Sequence, residues 1–168
     1  RVPLIVRWPG IVKPGSRCST PVQSIDFYPT LLDVTGAKRP AQPLDGESLL
    51  PLLKQTGTLN RKAVFWHFPA YLQANRNMRS PWRTTPAGSV RSGDWKLIEF
   101  FEEGRLELYN LKDDVGERSN LANKLPGKTR ELHRLMKDWR AAIKAPVPTK
   151  KNPKYDPTAK PKKRKRRK

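Results

Sequence analysis

From Gly88 to Asp114 the chain reads GSVRSGDWKLIEFFEEGRLELYNLKDD. This stretch limits the fold more than any other. Short apolar and β-branched runs are broken at Ser92-Gly93-Asp94 and again at Glu102-Glu103-Gly104, which is the pattern of strands joined by tight turns. The spacing predicts a meander of SVR, WKLIEFF and RLELYNL. In the last strand Leu106 and Leu108 share one face, with Glu107 and Tyr109 on the other. An antiparallel sheet of that kind keeps one face wet and packs the other on a helix. KAVFWHF, Lys62 to Phe68, is aromatic and β-branched and adds a further strand.

The covering helix is also legible. From about Pro126, Leu132, Leu135, Met136, Trp139 and Ile143 recur at spacings of three and four, an amphipathic stripe. Pro126 suits a first helical turn, and Lys137, Arg140 and Lys144 suit the negative end of the helix dipole. The expected fold class is therefore α+β: a small antiparallel sheet of three or four strands over residues 62 to 111, packed by a C-terminal helix ending near Ile143. Leu135 and Trp139 are expected to be buried against Trp95 or Leu97, and His133 to lie on the exposed side of that helix.

Residues 1–60 read differently. VPLIVRWPG is an apolar run of the kind found in a buried strand, stopped by Pro9-Gly10. SIDFYPTLLDVTG reads as a short helix with Asp26 as its cap, Pro29 in the first turn, Ile25, Leu31 and Leu32 as its apolar positions and Gly36 at its end. GESLLPLLKQ reads as a second short helix with Leu49, Leu50, Leu52 and Leu53 on its apolar side. Residues 61–145 hold the sheet and helix, with a long loop over residues 70–87. Residues 146–168 form a Pro-, Lys- and Arg-rich tail that cannot bury a core and is expected to be disordered.

Charge is concentrated in that tail. The net charge is +20, and the last 25 residues carry twelve Lys or Arg against the single acid Asp156. A polycation binds nucleic acid, anionic lipid or a sulfated or phosphorylated polymer. A basic, non-catalytic module that binds nucleic acid or an acidic polymer is thus one functional reading. In the terminal KPKKRKRRK no stacking aromatics are interleaved with the charges to support single-strand recognition.

Catalytic and metal motifs are sparse. The histidines are His67 and His133, and neither HExxH nor CxxC occurs. The acids of DDVGE, residues 113 to 117, lack the spacing of a calcium loop and read as a solvated turn. The one cysteine, Cys18, allows no intrachain disulfide and has no patterned base beside it, which argues against a nucleophile. RVPLIVRWPG is too short for a membrane span or a signal peptide, and the chain is expected to be a piece of something longer. His67, in FWHFPAY, stands at a strand end ahead of the long loop, where a scaffold displays a binding residue; a core histidine satisfied by backbone is the competing reading.

Seven segments occur in order: RVPLIVRWPG, SIDFYPTLLDVTGA, LDGESLLPLL, FWHFP, SVRSGDWKLIEFFEEGRLELYNL, GERSNLA and the helix ending at Trp139-Arg140. Together they resemble the C-terminal portion of a formylglycine-dependent sulfatase of the alkaline-phosphatase-like superfamily, from Arg1 to about Asp156. The resemblance implies that residues 1–60 end a large α/β domain whose last strand is VPLIVRWPG, here orphaned from its sheet and expected to be poorly anchored. It also implies that the sheet and helix close one side of a substrate pocket. In that family a formylglycine hydrate attacks the sulfur of a sulfate ester beside a bound calcium, the alcohol leaves, and the sulfated hemiacetal collapses to release sulfate. Formylglycine arises from Cys or Ser in C-x-P-x-R. Cys18 is followed by STPV and departs from that pattern, so the resemblance assigns no catalytic residue and no metal ligand to this chain. Formylglycine and calcium are both expected upstream of Arg1. His67, Tyr71 and Arg91 are the expected substrate contacts, on a sulfated carbohydrate or an aryl sulfate. The compartment the resemblance implies is secreted or periplasmic.

Overall fold

The computed structural model describes residues 2–73 and 82–150. The chain divides into two compact units, Arg1–Val64 and Phe65–Lys168.

In the first unit a 3-10 turn, Ser24–Asp26, runs into helix α1, Phe27–Thr35, which Gly36 ends at φ 68. A single turn, α2, spans Leu50–Leu53 and is shorter than the pattern predicts. Asp26 does not cap α1 with its side chain. Its carboxylate is fully buried and accepts from the Gln23 N–H at 2.7 Å, the Glu47 N–H at 3.1 Å and both terminal nitrogens of Arg61, at 2.5 and 2.7 Å. Thr30 extends the network. Its hydroxyl donates to the Asp26 carbonyl at 2.6 Å and accepts the Leu49 N–H at 2.8 Å. Gly46 completes the closure, since a Cβ there would lie 2.1 Å from the Ile25 carbonyl oxygen. Ile25 and Leu31, read as apolar positions of α1, are exposed, whereas Pro29, Thr30 and Leu32 are buried.

The opening run lacks a sheet, as expected of an orphaned strand, and lacks the strand conformation as well. VPLIVRWPG forms no strand, and Val2 and Ile5 are 91% and 89% exposed. An apolar run becomes a buried strand only when neighbours on both sides take its backbone hydrogen bonds. Among the described residues no strand pairs with this one.

The second unit is built on a four-stranded sheet of β1 (Val64–Phe68), β4 (Ala87–Ser92), β5 (Trp95–Phe100) and β6 (Arg105–Asn110), in the order β1-β4-β5-β6. β4 and β5 pair antiparallel with Val90 opposite Leu97, and β5 and β6 pair antiparallel with Leu97 opposite Leu108. The expected long loop is in part a ribbon: β2 (Leu72–Gln73) pairs antiparallel with β3 (Trp82–Thr84). Asn75, Arg76, Asn77, Arg79 and Pro81 of that loop lie outside the described residues.

Helix α3, Pro126–Ala142, covers one face of the sheet. Val90, Leu97, Leu108, Leu132 and Met136 form the layer between them, each at most 1% exposed. Gly88 permits the close approach, because a Cβ there would lie 3.1 Å from the Phe101 ring and 3.5 Å from the Met136 sulfur. The expected burial of Leu135 and Trp139 is corrected. Both are half-buried, and Trp139 stacks on Phe65 of β1, ring centroids 4.6 Å apart at 5°. Ile143 is 51% exposed and follows the helix as its C-cap.

The segment after β6 doubles back along the sheet edge. The Asn120 side chain accepts the Leu108 N–H at 3.0 Å and donates to the Leu106 carbonyl at 3.3 Å. The Leu121 N–H donates to the Leu108 carbonyl at 2.8 Å. That cover removes an exposed edge.

Candidate functional site

β1 sorts its side chains by parity, as an extended strand must. Phe65 and His67 turn toward α3, while Trp66 and Phe68 turn to the opposite face. His67 is thereby held rather than displayed free. Its ring lies 5.4 Å from the Phe101 ring, and Nε2 lies 2.7 Å from the carbonyl oxygen of Pro146, just beyond α3. A carbonyl only accepts, so Nε2 carries the proton of that bond. Nδ1 is buried with no hydrogen-bond partner among the described residues.

Tyr71 stands at the start of β2, its ring tilted against Trp82 of β3 with centroids 4.8 Å apart. Its hydroxyl donates to Glu102 in the turn between β5 and β6. Phe101, against His67, and Glu102, against Tyr71, are neighbours in the chain, so His67 and Tyr71 converge on one end of the sheet. Arg91 does not join them. It pairs in register with Lys96, at the other end of the β4–β5 hairpin from Phe100, and its Nε donates to the Gly93 carbonyl at 3.2 Å. Four residues of strand separate the two ends, about 13 Å at 3.3 Å per residue.

Three charged residues that the sequence reading did not connect meet between β5 and α3. Arg140 Nη2 lies 2.6 Å from one Glu99 oxygen, and His133 Nε2 lies 3.1 Å from the other. Arg140 is buried, its guanidinium carbon 5.1 Å above the Phe101 ring. His133 is thus corrected from a surface residue to a half-buried one, and Arg140 from a dipole cation to the partner of a carboxylate. One signal pointed there. Glu99 alternates with Leu97 on the helix-facing side of β5, and an inward carboxylate needs a cation from the covering helix.

The opposite face carries a second polar group of residues. Lys96 Nζ donates to both Glu117 oxygens at 2.7 and 2.8 Å, and the Tyr109 hydroxyl donates to Glu107 at 2.9 Å. Burial first, then the bond to Glu107 and the charges of Glu107 and Glu117, pushes the Tyr109 phenol up to about 12. This tyrosine stays neutral and acts as a donor. In the acidic turn Asp114 accepts the Ser119 and Arg118 N–H groups, both at 2.8 Å. Those bonds hold its carboxyl below the usual carboxylate range.

The described residues bring no three His, Cys, Asp or Glu side chains together as a metal cage. Cys18 is free and exposed. No described helix is long and apolar enough to cross a membrane. At the end of the sheet near His67 and Tyr71 the chain brings together aromatic rings, one imidazole and a hydrogen-bonded carboxylate.

The chain as a whole is similar to known proteins. Residues 1–143 match the family model described as N-sulphoglucosamine sulphohydrolase, C-terminal. A sulfatase of Formosa agariphila is 39% identical over 75% of this chain and 23% of its own length. Human arylsulfatase K is 35% identical over 78% of the chain and 24% of its own. An N-acetylglucosamine-6-O-sulfatase of Bacteroides thetaiotaomicron is 32% identical over 86% and 25%. A solved structure in complex with its substrate, D-glucosamine-2-N,6-O-disulfate, superposes with a TM-score of 0.67 at 29% identity, over 83% of this chain and 28% of that one. The phosphonate monoester hydrolase of Silicibacter pomeroyi superposes at 0.57 with 26% identity, over 82% and 28%. The chain spans about a quarter of the length of the curated relatives it matches. With 143 of its residues under one family model, the chain belongs to the family of N-sulphoglucosamine sulphohydrolase C-terminal regions, among the sulfatases.

Proposed function

We propose that the chain serves as the C-terminal part of a secreted or periplasmic sulfatase that hydrolyses sulfate esters of a sugar or aryl alcohol, and that its sheet forms a wall of the substrate pocket. The observation that carries this reading is the family match over residues 1–143. Formylglycine and calcium are assigned to the upstream three quarters of the enzyme. His67 and Tyr71 are the residues of this chain that meet the non-sulfate part of the substrate. Tyr71 offers a ring to a sugar face and a hydroxyl. The His67 ring packs against Phe101 of the same turn, and its Nδ1 is buried without a hydrogen-bond partner among the described residues. For Arg91 to join them the substrate must reach about 13 Å further along the hairpin. Sulfated amino sugars are the substrates to try first, since two of the relatives are described by them.

The full-length polypeptide should turn over a sulfated monosaccharide or a chromogenic aryl sulfate. These 168 residues alone should give no turnover above a heat-killed control, with or without calcium. In the full enzyme His67→Ala should raise KM by more than it lowers kcat, as for a subsite contact. Loss of kcat by several orders of magnitude with KM unchanged would make His67 part of the chemistry instead. Turnover by the isolated chain that disappears on Cys18→Ala would overturn the assignment of the nucleophile.

A second reading rests on the likeness to the phosphonate monoester hydrolase. The C-terminal architecture is shared with an enzyme acting on a different central atom, so the upstream domain sets the choice between sulfur and phosphorus. An aryl phosphonate monoester assayed beside the aryl sulfate decides it: a tenfold or greater preference for the phosphonate would replace the sulfatase reading.

A further inference from the structure

Helix α3 spends one side on the sheet and turns the other to solvent, and that outer side is unevenly charged. Arg130, Arg134 and Lys137 are exposed and recur at spacings of four and three. At about 100° per residue they fall within about 60° of one another, a ridge about 10 Å long. The Arg134 side chain is 86% exposed, its Nε 3.9 Å from Asp138. Among the described residues Arg130 and Lys137 have no ion-pair partner. The two acids of the helix, Glu131 and Asp138, lie two turns apart and share one flank of the ridge, and Glu131 is held by Lys128 at 2.6 Å. A solvated helix intersperses the two signs. This one sorts them.

The positive sign persists past the helix. Lys144 and Lys150 are exposed, and between Asp138 and Asp156 the sequence holds no acid. From Lys150 to Lys168 it holds eleven Lys or Arg against Asp156 alone. His67 fixes where that run sets out, since its Nε2 donates to the Pro146 carbonyl at 2.7 Å. Lys150 follows four residues later, no more than about 14 Å away at full extension. The basic run therefore starts from the end of the sheet on which His67 and Tyr71 converge.

We propose that the ridge of α3, continued by this basic run, binds a sulfated polysaccharide and holds the polymer beside the pocket wall. The inference rests on the sulfatase reading above and names the form of its substrate: sulfate groups on a chain, several held by cations while another meets the pocket. The chemistry selects the occupant. Guanidinium groups offer planar, bidentate partners to an oxyanion, and Lys adds point charges. A nucleic-acid strand is held on exposed aromatic platforms as well, and the one ring beside the ridge, Trp139, is spent on Phe65.

Affinity for heparin, used as a sulfated-polysaccharide probe, tests this on the full-length polypeptide without any turnover. Binding should be measurable at about 0.15 M salt, and the logarithm of affinity should fall linearly with the logarithm of salt concentration. An Arg130→Gln, Arg134→Gln, Lys137→Gln variant should lose about tenfold or more in affinity and flatten that slope by about two to three. Changing the basic residues of 162–168 to Gln should flatten it further. Unchanged affinity and slope in the ridge variant overturn the proposal, even where the change at 162–168 abolishes binding. Desulfated heparin bound as tightly as heparin also overturns it. Duplex DNA bound more tightly than heparin at the same salt overturns it and assigns the ridge to nucleic acid. In turnover, the ridge variant should raise KM for a sulfated oligosaccharide and leave that for an aryl sulfate unchanged, and an equal effect on both counts against the ridge. A full-length protein active on sulfate esters without ridge-dependent heparin binding would sink this inference alone. Ridge-dependent heparin binding by a protein inactive on them would sink the function proposed above alone.

Discussion

The two units hold themselves together by opposite means. At the centre of the first is a carboxylate, Asp26, receiving two backbone N–H groups and both terminal nitrogens of Arg61. At the centre of the second are five apolar side chains between a helix and a sheet, none more than 1% exposed. The difference follows from the elements each has available. Two short helices and a run of loops offer no broad apolar face. Their geometry is fixed instead by directional, charge-assisted bonds that converge on one group. A sheet under a 17-residue helix offers two such faces, and burial suffices. A polar hub is specific and unforgiving. An apolar layer tolerates a change of shape at similar volume.

The sharpest way to break this comparison is to remove the hub. Asp26→Ala strands Arg61 and leaves two N–H groups without their acceptor, a loss of about 3–5 kcal/mol for one partner of a buried ion pair. Amide hydrogen exchange should report it first in residues 24–35 and 47–49. Acid does the same work more gently. Burial alone would raise the Asp26 carboxyl, but the bonds from Arg61, Gln23 and Glu47 and the charge of Arg61 bring it below the ordinary value of 3.8. A depressed carboxyl contributes stability that is full above its unfolded value and is lost as pH falls through the folded one. Protection of α1 should therefore hold at pH 5 and fall away below about pH 4, and Asp26→Asn should flatten that acid limb. Equal acid sensitivity in the variant would show that other carboxylates set it.

Next in size is the apolar layer. Leu97→Ala empties a site with no exposed surface and should cost about 2–5 kcal/mol by urea denaturation, whereas Leu97→Met should cost less than about 1.5 kcal/mol. If the two substitutions cost the same, the layer depends on shape as strictly as the hub does, and the contrast between the units fails.

The same contrast explains what the sequence revealed in advance. The β4–β5–β6 meander and α3 were legible because apolar periodicity is a local signal, read within a few residues. Asp26 was not, since its partners lie 21 and 35 residues away, and the reading stopped at the nearest local role, a helix cap. VPLIV misled in the opposite direction. Its composition suits a strand, but a strand exists only with neighbours, and composition does not supply them. At the candidate site, His67 was placed correctly at the end of a strand. Its contact with Pro146, 79 residues on, and the bond from Tyr71 to Glu102 depend on how the chain returns, which no local pattern encodes. Arg91 was expected at the same substrate, and the register, which pairs it with Lys96, puts it at the far end of the hairpin.

The smallest expected effect separates stacking from burial inside the second unit. Phe65 and Trp139 lie parallel at 4.6 Å, joining the edge strand β1 to α3. Both rings keep some exposure, so their contribution is less than that of the central layer, and part of it is the ring-on-ring contact itself. Aromatic pairs of this geometry are worth about 0.5–1.5 kcal/mol beyond the area they bury. A double-mutant cycle isolates that part: Phe65→Leu, Trp139→Leu and the double variant each keep an apolar side chain and remove one or both rings. The coupling energy, measured by urea denaturation, should fall within that range. A coupling near zero would mean that β1 is held to α3 by general apolar burial, as β4 and β5 are. A coupling well above it would mean that this edge, like the Asp26 hub, depends on one specific contact, and the line between the two modes of assembly would then run through the second unit rather than between the units.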